Sequence, residues 1–267
     1  MAKQHTAGAL GVLLDTIGKL AGVRLDPQEI EAGQMSAEQL QKLRHEEALA
    51  AALEIRAGIE QARADLIGEL RRSGRIKAAW TFETLSRDRS NAEALALATG
   101  FAAAAGTPVE GEPLLLLLSG AAGSGKTVIA HAVANAWLEA AGKAVLITDM
   151  NRLRRLRIFN QKEDWQSVHE RREQWECCLK ADLLIVDSLC ANCEGLSVYD
   201  QKVFTELVRA RRDAELALMI TTPVPLDLLH SSIGESCFES LREYSVMGGT
   251  LLGGSRRNPI VVNGKRI

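Results

Sequence analysis

The chain has 267 residues, 46% hydrophobic and 25% charged, with a formal net charge of −2, an ordinary composition for a soluble globular protein. That length allows one large domain or one medium domain with an appendage, and the near-neutral balance excludes a general attraction to nucleic acid, so any such contact must be a local basic patch. No segment approaches the ~20 apolar residues of a membrane-spanning helix and the N-terminus lacks a secretory pattern, so a cytosolic protein with no membrane partner is expected.

Residues 1–75 read as helical. Ser36 and Gln39 form a capping box, and the run from Ala37 to Arg72 has no proline and only Gly58 and Gly68. Leu40, Leu43, Leu49, Leu53, Ile59, Ala62, Leu66 and Leu70 recur at near-helical spacing. One long amphipathic helix or a helical hairpin is expected. Residues 1–78 carry eleven basic and eleven acidic side chains, which suits either a packing element or a partner-docking arm.

From Arg75 to Pro113 the chain is alanine-rich, with loop signals at Gly106-Thr107-Pro108 and Gly111-Glu112-Pro113. Strands are then expected at Leu114–Leu118, Ala144–Thr148, Leu183–Val186 and Leu218–Thr221, with a weaker one near Gly249–Leu252. Helices are expected at Lys126–Ala141, Trp165–Leu179 and Val198–Arg212. Buried strands joined by helices predict a parallel sheet in a three-layer α/β domain.

Between the first strand and its helix, Gly120, Gly123, Gly125, Lys126 and Thr127 fill the G-x-x-x-x-G-K-[ST] pattern, with Ser124 and Val128 beside them. The glycines let backbone N–H groups wrap phosphates, helped by the positive end of the helix. Lys126 is expected to neutralise phosphate charge, and the Thr127 hydroxyl can ligate Mg2+. ATP with Mg2+ is the expected cofactor. The run Leu183-Leu184-Ile185-Val186 ends in Asp187, the expected second metal-side group, but the next position, where many hydrolases carry a Glu, is Ser188.

Residues 151–162 hold five basic side chains and no acid. Arg154, Arg155 and Arg157 with Phe159 make a candidate face for single-stranded nucleic acid, or else a solvated face pairing with Glu163, Asp164, Glu170 and Glu173. On the helix after Lys126, Trp137 is expected to pack on the sheet and His131 to be exposed. Trp165 and Trp175 are expected in core or subunit contacts, and the tail from Asn258 to Ile267 is expected to be loosely held. Five cysteines, Cys177, Cys178, Cys190, Cys193 and Cys237, read as thiols in a reducing compartment; the spacing of Cys190 and Cys193 also suits two zinc ligands.

In their order, these segments resemble the AAA+ replicative helicase loaders of the DnaC-like family, and more distantly the IstB-like transposition helpers. The resemblance runs from about Ser73 to Arg257. It rests on Ser73-Gly74-Arg75-Ile76, Thr81-Phe82-Glu83, the P-loop, Gly142–Thr148, Leu183–Asp187, Ile220-Thr221-Thr222 and Gly234-Glu235. It implies an AAA+ domain over residues 76–267 and a helical region at 1–75 that docks a ring helicase. It also implies assembly into a spiral and delivery of the helicase onto single-stranded DNA. By resemblance, Arg256 or Arg257 is the arginine sensing the phosphates, and Phe159, Ser197 and Tyr199 line a DNA channel. The sensor asparagine falls on Pro223, and two arginines, one a finger for the neighbouring subunit, fall on Ser236 and Ser240. With Ser188, this implies ATP binding with weak hydrolysis. The alternatives are an IstB-like helper acting on duplex DNA with a transposase, and a small-molecule P-loop kinase, for which no lid is evident.

Overall fold

A computed structural model describes residues 37–72, 76–104, 112–139, 143–158, 164–192, 194–257, 261–262 and 265–266. Expectations for residues 1–36 and for Phe159 and Cys193 lie outside the described residues. The chain divides into two compact units, Met1–Ala64 and Asp65–Ile267.

Helix α1 (Ala37–Arg72) is one unbroken helix of 36 residues, which decides between a single helix and a hairpin. Straight-chain and alanine residues dominate it, so propensity carries it past Gly58 and Gly68. Leu49, Leu53, Ile55 and Ile59 on it are exposed.

In the second unit, five parallel strands form a sheet in the order β2-β3-β4-β1-β5: β1 (Leu114–Gly120), β2 (Val145–Thr148), β3 (Leu183–Asp187), β4 (Ala217–Thr222) and β5 (Ser245–Leu251). Each of the five expected strands is present, extended or trimmed at its ends. Strand side chains alternate between faces, and helices cover both. Leu116, Leu118, Leu183, Ile185 and Met219 pack against α2 (Ala92–Ala103) and α3 (Lys126–Glu139). Leu115, Leu117, Leu184, Val186, Leu218 and Ile220 pack on the other side. There they meet α4 (Met150–Arg157), α5 (Trp165–Lys180), α6 (Val198–Asp213), α7 (Leu229–Ile233) and α8 (Glu235–Arg242). This is the expected three-layer α/β arrangement.

Side-chain caps set where the helices of the second layer begin. Asp149 accepts from the Arg152 N–H at 2.9 Å to start α4, Asp164 from that of Ser167 at 2.9 Å to start α5, and Ser197 from that of Asp200 at 3.2 Å to start α6. Trp137 packs as expected, 5.5 Å from Phe101 in a stacked pair. Trp175 is buried, whereas Trp165 is 79% exposed and stacks on His169, one turn along its own helix, so it is no core residue. In the tail, Val261–Val262 (β6) pairs antiparallel with Lys265–Arg266 (β7).

Cys178, Cys190 and Cys237 are buried thiols and Cys177 is exposed. Burial pushes the Cys178 thiol up to about 11 and the Cys237 thiol up to about 12, so neither supplies a thiolate near neutral pH. Among the described residues no group of three His, Cys, Asp or Glu side chains is placed to hold a metal ion.

Candidate functional site

The P-loop leaves β1 at Gly120 and enters α3 at Lys126, so it lies at the carboxyl edge of the sheet's central region. Its backbone takes a positive φ at Gly120, Gly123 and Gly125, and the first two are crowded as well. At Gly120, φ is +149° and a Cβ would sit 2.7 Å from the Leu251 carbonyl oxygen; at Gly123, φ is +82° and a Cβ would run into Ser255 Oγ. The segment after β5 is folded against the loop, with the Arg256 N–H donating to the Gly123 carbonyl at 2.9 Å.

Lys126 is buried, and its Nζ donates to the carbonyls of Gly120 and, at 2.9 Å, Ala121. Ser124 Oγ, in the loop, is buried with no hydrogen-bond partner among the described residues. A cation, a spare hydroxyl and the N-terminus of a 14-residue helix converge here, the chemistry that binds phosphate oxygens. Gly123, Ser124, Gly125, Lys126, Thr127, Val128 and Arg256 share one cavity of about 560 Å³, a volume in the range of cofactor sites. Arg256, expected only by resemblance, thus lines the same cavity as the loop. Its guanidinium donates to both Asp88 carboxylate oxygens (2.8 and 2.7 Å) and to Ser90 Oγ (2.6 Å).

Asp187 ends β3, where Thr221 of β4 donates its hydroxyl to the Asp187 carboxylate. Sheet order carries that carboxylate to the same edge of the sheet as the loop, one strand removed from β1. Ser236 and Ser240, which fall where the resemblance expects arginines, both bind Arg209 of α6: its Nε donates to Ser240 Oγ at 3.0 Å and a terminal nitrogen to Ser236 Oγ at 3.3 Å. Sequence reading did not single out Arg209.

The candidate nucleic-acid residues divide. Arg154 makes a paired contact with Asp200, both bonds 2.7 Å, and Ser197 Oγ donates to the same carboxylate at 2.7 Å. Asp200 is buried, and the Arg154 guanidinium and Ser197 hydroxyl hold its carboxyl below the usual range. Arg157 binds Glu206 (2.9 and 3.0 Å) and lies 4.9 Å from the centre of the Trp175 ring. Arg155 and Tyr199 are exposed. Of the four acids expected as partners for this segment, Glu163 lies outside the described residues, and Asp164, Glu170 and Glu173 are not the acids that pair with Arg154 and Arg157, whose partners come from α6.

His131 is buried, against expectation, and burial holds its imidazole below the ordinary value. The cause is the turn Lys77–Trp80, which covers this side of α3: Lys77 N–H donates to His131 Nδ1 at 3.2 Å. The sequence signal was available, since α3 is apolar almost all round, the mark of a helix covered on more than one side.

No family model matches the sequence, and no curated protein matches it. Solved structures do match the fold. The DnaC helicase loader is 20% identical, over 64% of this chain and 97% of that one, with a TM-score of 0.51. AMPPCP-bound DnaA from Aquifex aeolicus is 14% identical, over 66% of this chain, with a TM-score of 0.52; the chain spans about half that protein's length, 51%. Domain III of the Thermotoga maritima replication initiation protein DnaA is 19% identical, over 66% of this chain and 68% of that domain, with a TM-score of 0.51. The folded chain therefore shares the three-layer α/β fold of the DnaC helicase loader, as the order of segments along the sequence implied.

Proposed function

We propose that the chain binds ATP with Mg2+, docks on a ring helicase through residues 1–75, assembles into a spiral and helps place the helicase on single-stranded DNA at replication initiation. The main support is the P-loop cavity closed by Arg256, in a fold that matches the DnaC helicase loader over 97% of that chain. The spare Ser124 hydroxyl, the Lys126 ammonium and the hard oxygen donors of Thr127 and Asp187 fit a magnesium triphosphate. Thr127 and Asp187 would hold the metal, which would draw charge from the phosphates. The test is co-elution of the full chain with a ring helicase: ATP-dependent capture that is lost when residues 1–75 are removed supports the reading, and ATP-dependent filament growth on duplex DNA instead favours the transposition helper.

Hydrolysis is slow in this reading. Ser188 cannot accept a proton from water as a carboxylate does, Pro223 has no hydrogen-bonding side chain, and the Ser236 and Ser240 hydroxyls are already bound to Arg209. An arginine finger alone contributes about 10³–10⁵ in rate. A phosphate-release assay on the isolated protein is expected to read close to background; rapid turnover that disappears in Lys126→Ala would refute slow hydrolysis.

For DNA, Arg155 is the one of the three candidate arginines that no acid holds among the described residues. Arg155→Glu is expected to weaken single-stranded DNA binding and to reduce the slope of log affinity against log salt by about one, with ATP affinity unchanged. Arg154→Glu is expected to lower the melting temperature instead, because it sets a carboxylate against buried Asp200. Fluorescence anisotropy across a salt series separates the two effects.

A further inference from the structure

The cavity has two chemically different ends. Around Lys126, Thr127 and Arg256 it is cationic and hydroxylic; toward Trp80, Leu85 and Leu95 it is apolar. The apolar end is closed by the turn Lys77–Trp80, in which the Trp80 N–H donates to the Lys77 carbonyl at 3.1 Å. Such a short turn has little to hold it in place by itself.

Two buried polar side chains of α3 supply the hold. His131 Nδ1 accepts from Lys77 N–H, and the two amide protons of Asn135 are given to the carbonyls of Lys77 and Trp80, each at 2.9 Å. His131 is 7% exposed and Asn135 1%, so the α3 end of each of these bonds is buried while the turn end is only partly covered. The His131 ring also stands at 73° to the Trp80 indole, with centroids 5.0 Å apart, which fixes the indole plane. Because α3 begins at Lys126, one rigid helix sets both ends of the cavity. His131 and Asn135 lie about 7.5 and 13.5 Å along its axis from Lys126. One face of the indole lies under the Lys77 ammonium, 4.1 Å from the ring centre, and both residues line the cavity. A π face at the apolar end of a phosphate site, shared with the cation of an exposed lysine, suits a flat heteroaromatic ring.

We propose that the Lys77–Trp80 turn is the nucleobase wall of this site. Trp80 is the stacking surface, Lys77 is the cation a base displaces from it, and His131 and Asn135 are positioning residues that hold the wall at a fixed distance from the P-loop. The inference rests on the nucleotide reading above and deepens it. Stacking uses the π face that every base has, so the wall binds ATP and GTP with similar strength and favours purines over the smaller pyrimidines.

The test is calorimetry on the full chain with two ligands, ATP and inorganic tripolyphosphate, both with magnesium. Tripolyphosphate reports the phosphate end alone. Trp80→Ala is expected to weaken ATP about tenfold and leave tripolyphosphate unchanged, while Trp80→Phe, which keeps a ring, retains most of the ATP affinity. His131→Ala and Asn135→Ala are expected to shift ATP in the same direction without moving tripolyphosphate, and His131→Asn, which restores an acceptor for Lys77 N–H, is expected to recover part of the loss. A merely structural role would lower both ligands together. Equal losses for both ligands, or ATP affinity untouched in Trp80→Ala, would overturn the wall. If the unmodified chain binds tripolyphosphate no less tightly than ATP, the wall also fails while phosphate binding stands; binding of neither ligand removes the nucleotide reading itself.

Discussion

Lys126→Ala is expected to weaken ATP binding by at least 100-fold while shifting stability by no more than about 1 kcal/mol. The Lys126 ammonium is buried at the start of α3 and is held by the carbonyls of Gly120 and Ala121, inside the loop whose backbone faces the cavity. Removing one partner of a desolvated charge pair costs about 2–5 kcal/mol, which corresponds to roughly 30-fold to several-thousand-fold in affinity. Stability changes little because the Gly120 and Ala121 carbonyls that this cation holds belong to its own loop, and without it they remain near water at the cavity mouth. Calorimetry and thermal melting of the same preparation check both halves. Retained ATP affinity would remove Lys126 from the site and with it the case for nucleotide binding by this loop.

Arg211→Met is expected to destabilise the α/β unit by about 3–5 kcal/mol, with little direct effect on the phosphate end of the cavity. Arg211 is fully buried in α6. Its guanidinium donates to the carbonyls of Cys178 at 2.8 Å and Ala217 at 2.5 Å, and more weakly to that of Leu179 at 3.3 Å. It therefore closes the last turn of α5 and fixes the first residue of β4 with one planar group. Burial is the main cause that lowers its ionisation to about 10, still far above physiological pH, so the side chain stays charged in the fold. Methionine matches the volume but donates nothing, leaving several buried carbonyls without partners. For a unit of this size the loss corresponds to a drop of roughly 6–20 °C in melting temperature. Arg211→Lys is expected to recover little, because an ammonium has no fork to span two elements. A melting temperature within about 2 °C of the unmodified protein in Arg211→Met would sink this account.

The strands and helices were legible because their apolar runs are long and each is buried by both neighbouring layers. Leu114–Leu118 and Leu183–Val186 leave no other reading. The P-loop was legible because its chemistry is local, confined to residues 120–127. What escaped were charged and polar groups whose partners come from elsewhere in the chain. Arg154 reads as a surface cation until α6 brings Asp200 against it, 46 positions away. His131 reads as exposed until the turn at Lys77 covers it, 54 positions away. For Asp200 and Arg211 the pattern did hold a clue: they fall on the same helical stripe as Phe204 and Leu207, so spacing placed two charged residues on a buried face. Composition argued against that placement, and packing with dedicated partners overrode it.

Strand β1, which carries the P-loop, lies between β4 and β5, and both of those neighbours are encoded later. β4 begins only at Ala217, roughly 100 residues after β1 ends at Gly120. At a ribosomal pace of about 5–20 residues per second, the five leucines of β1 wait roughly 5–20 s before either flank can be covered. During translation that greasy ribbon is an open invitation to self-association, and it is the nascent segment on which a chaperone would do most good.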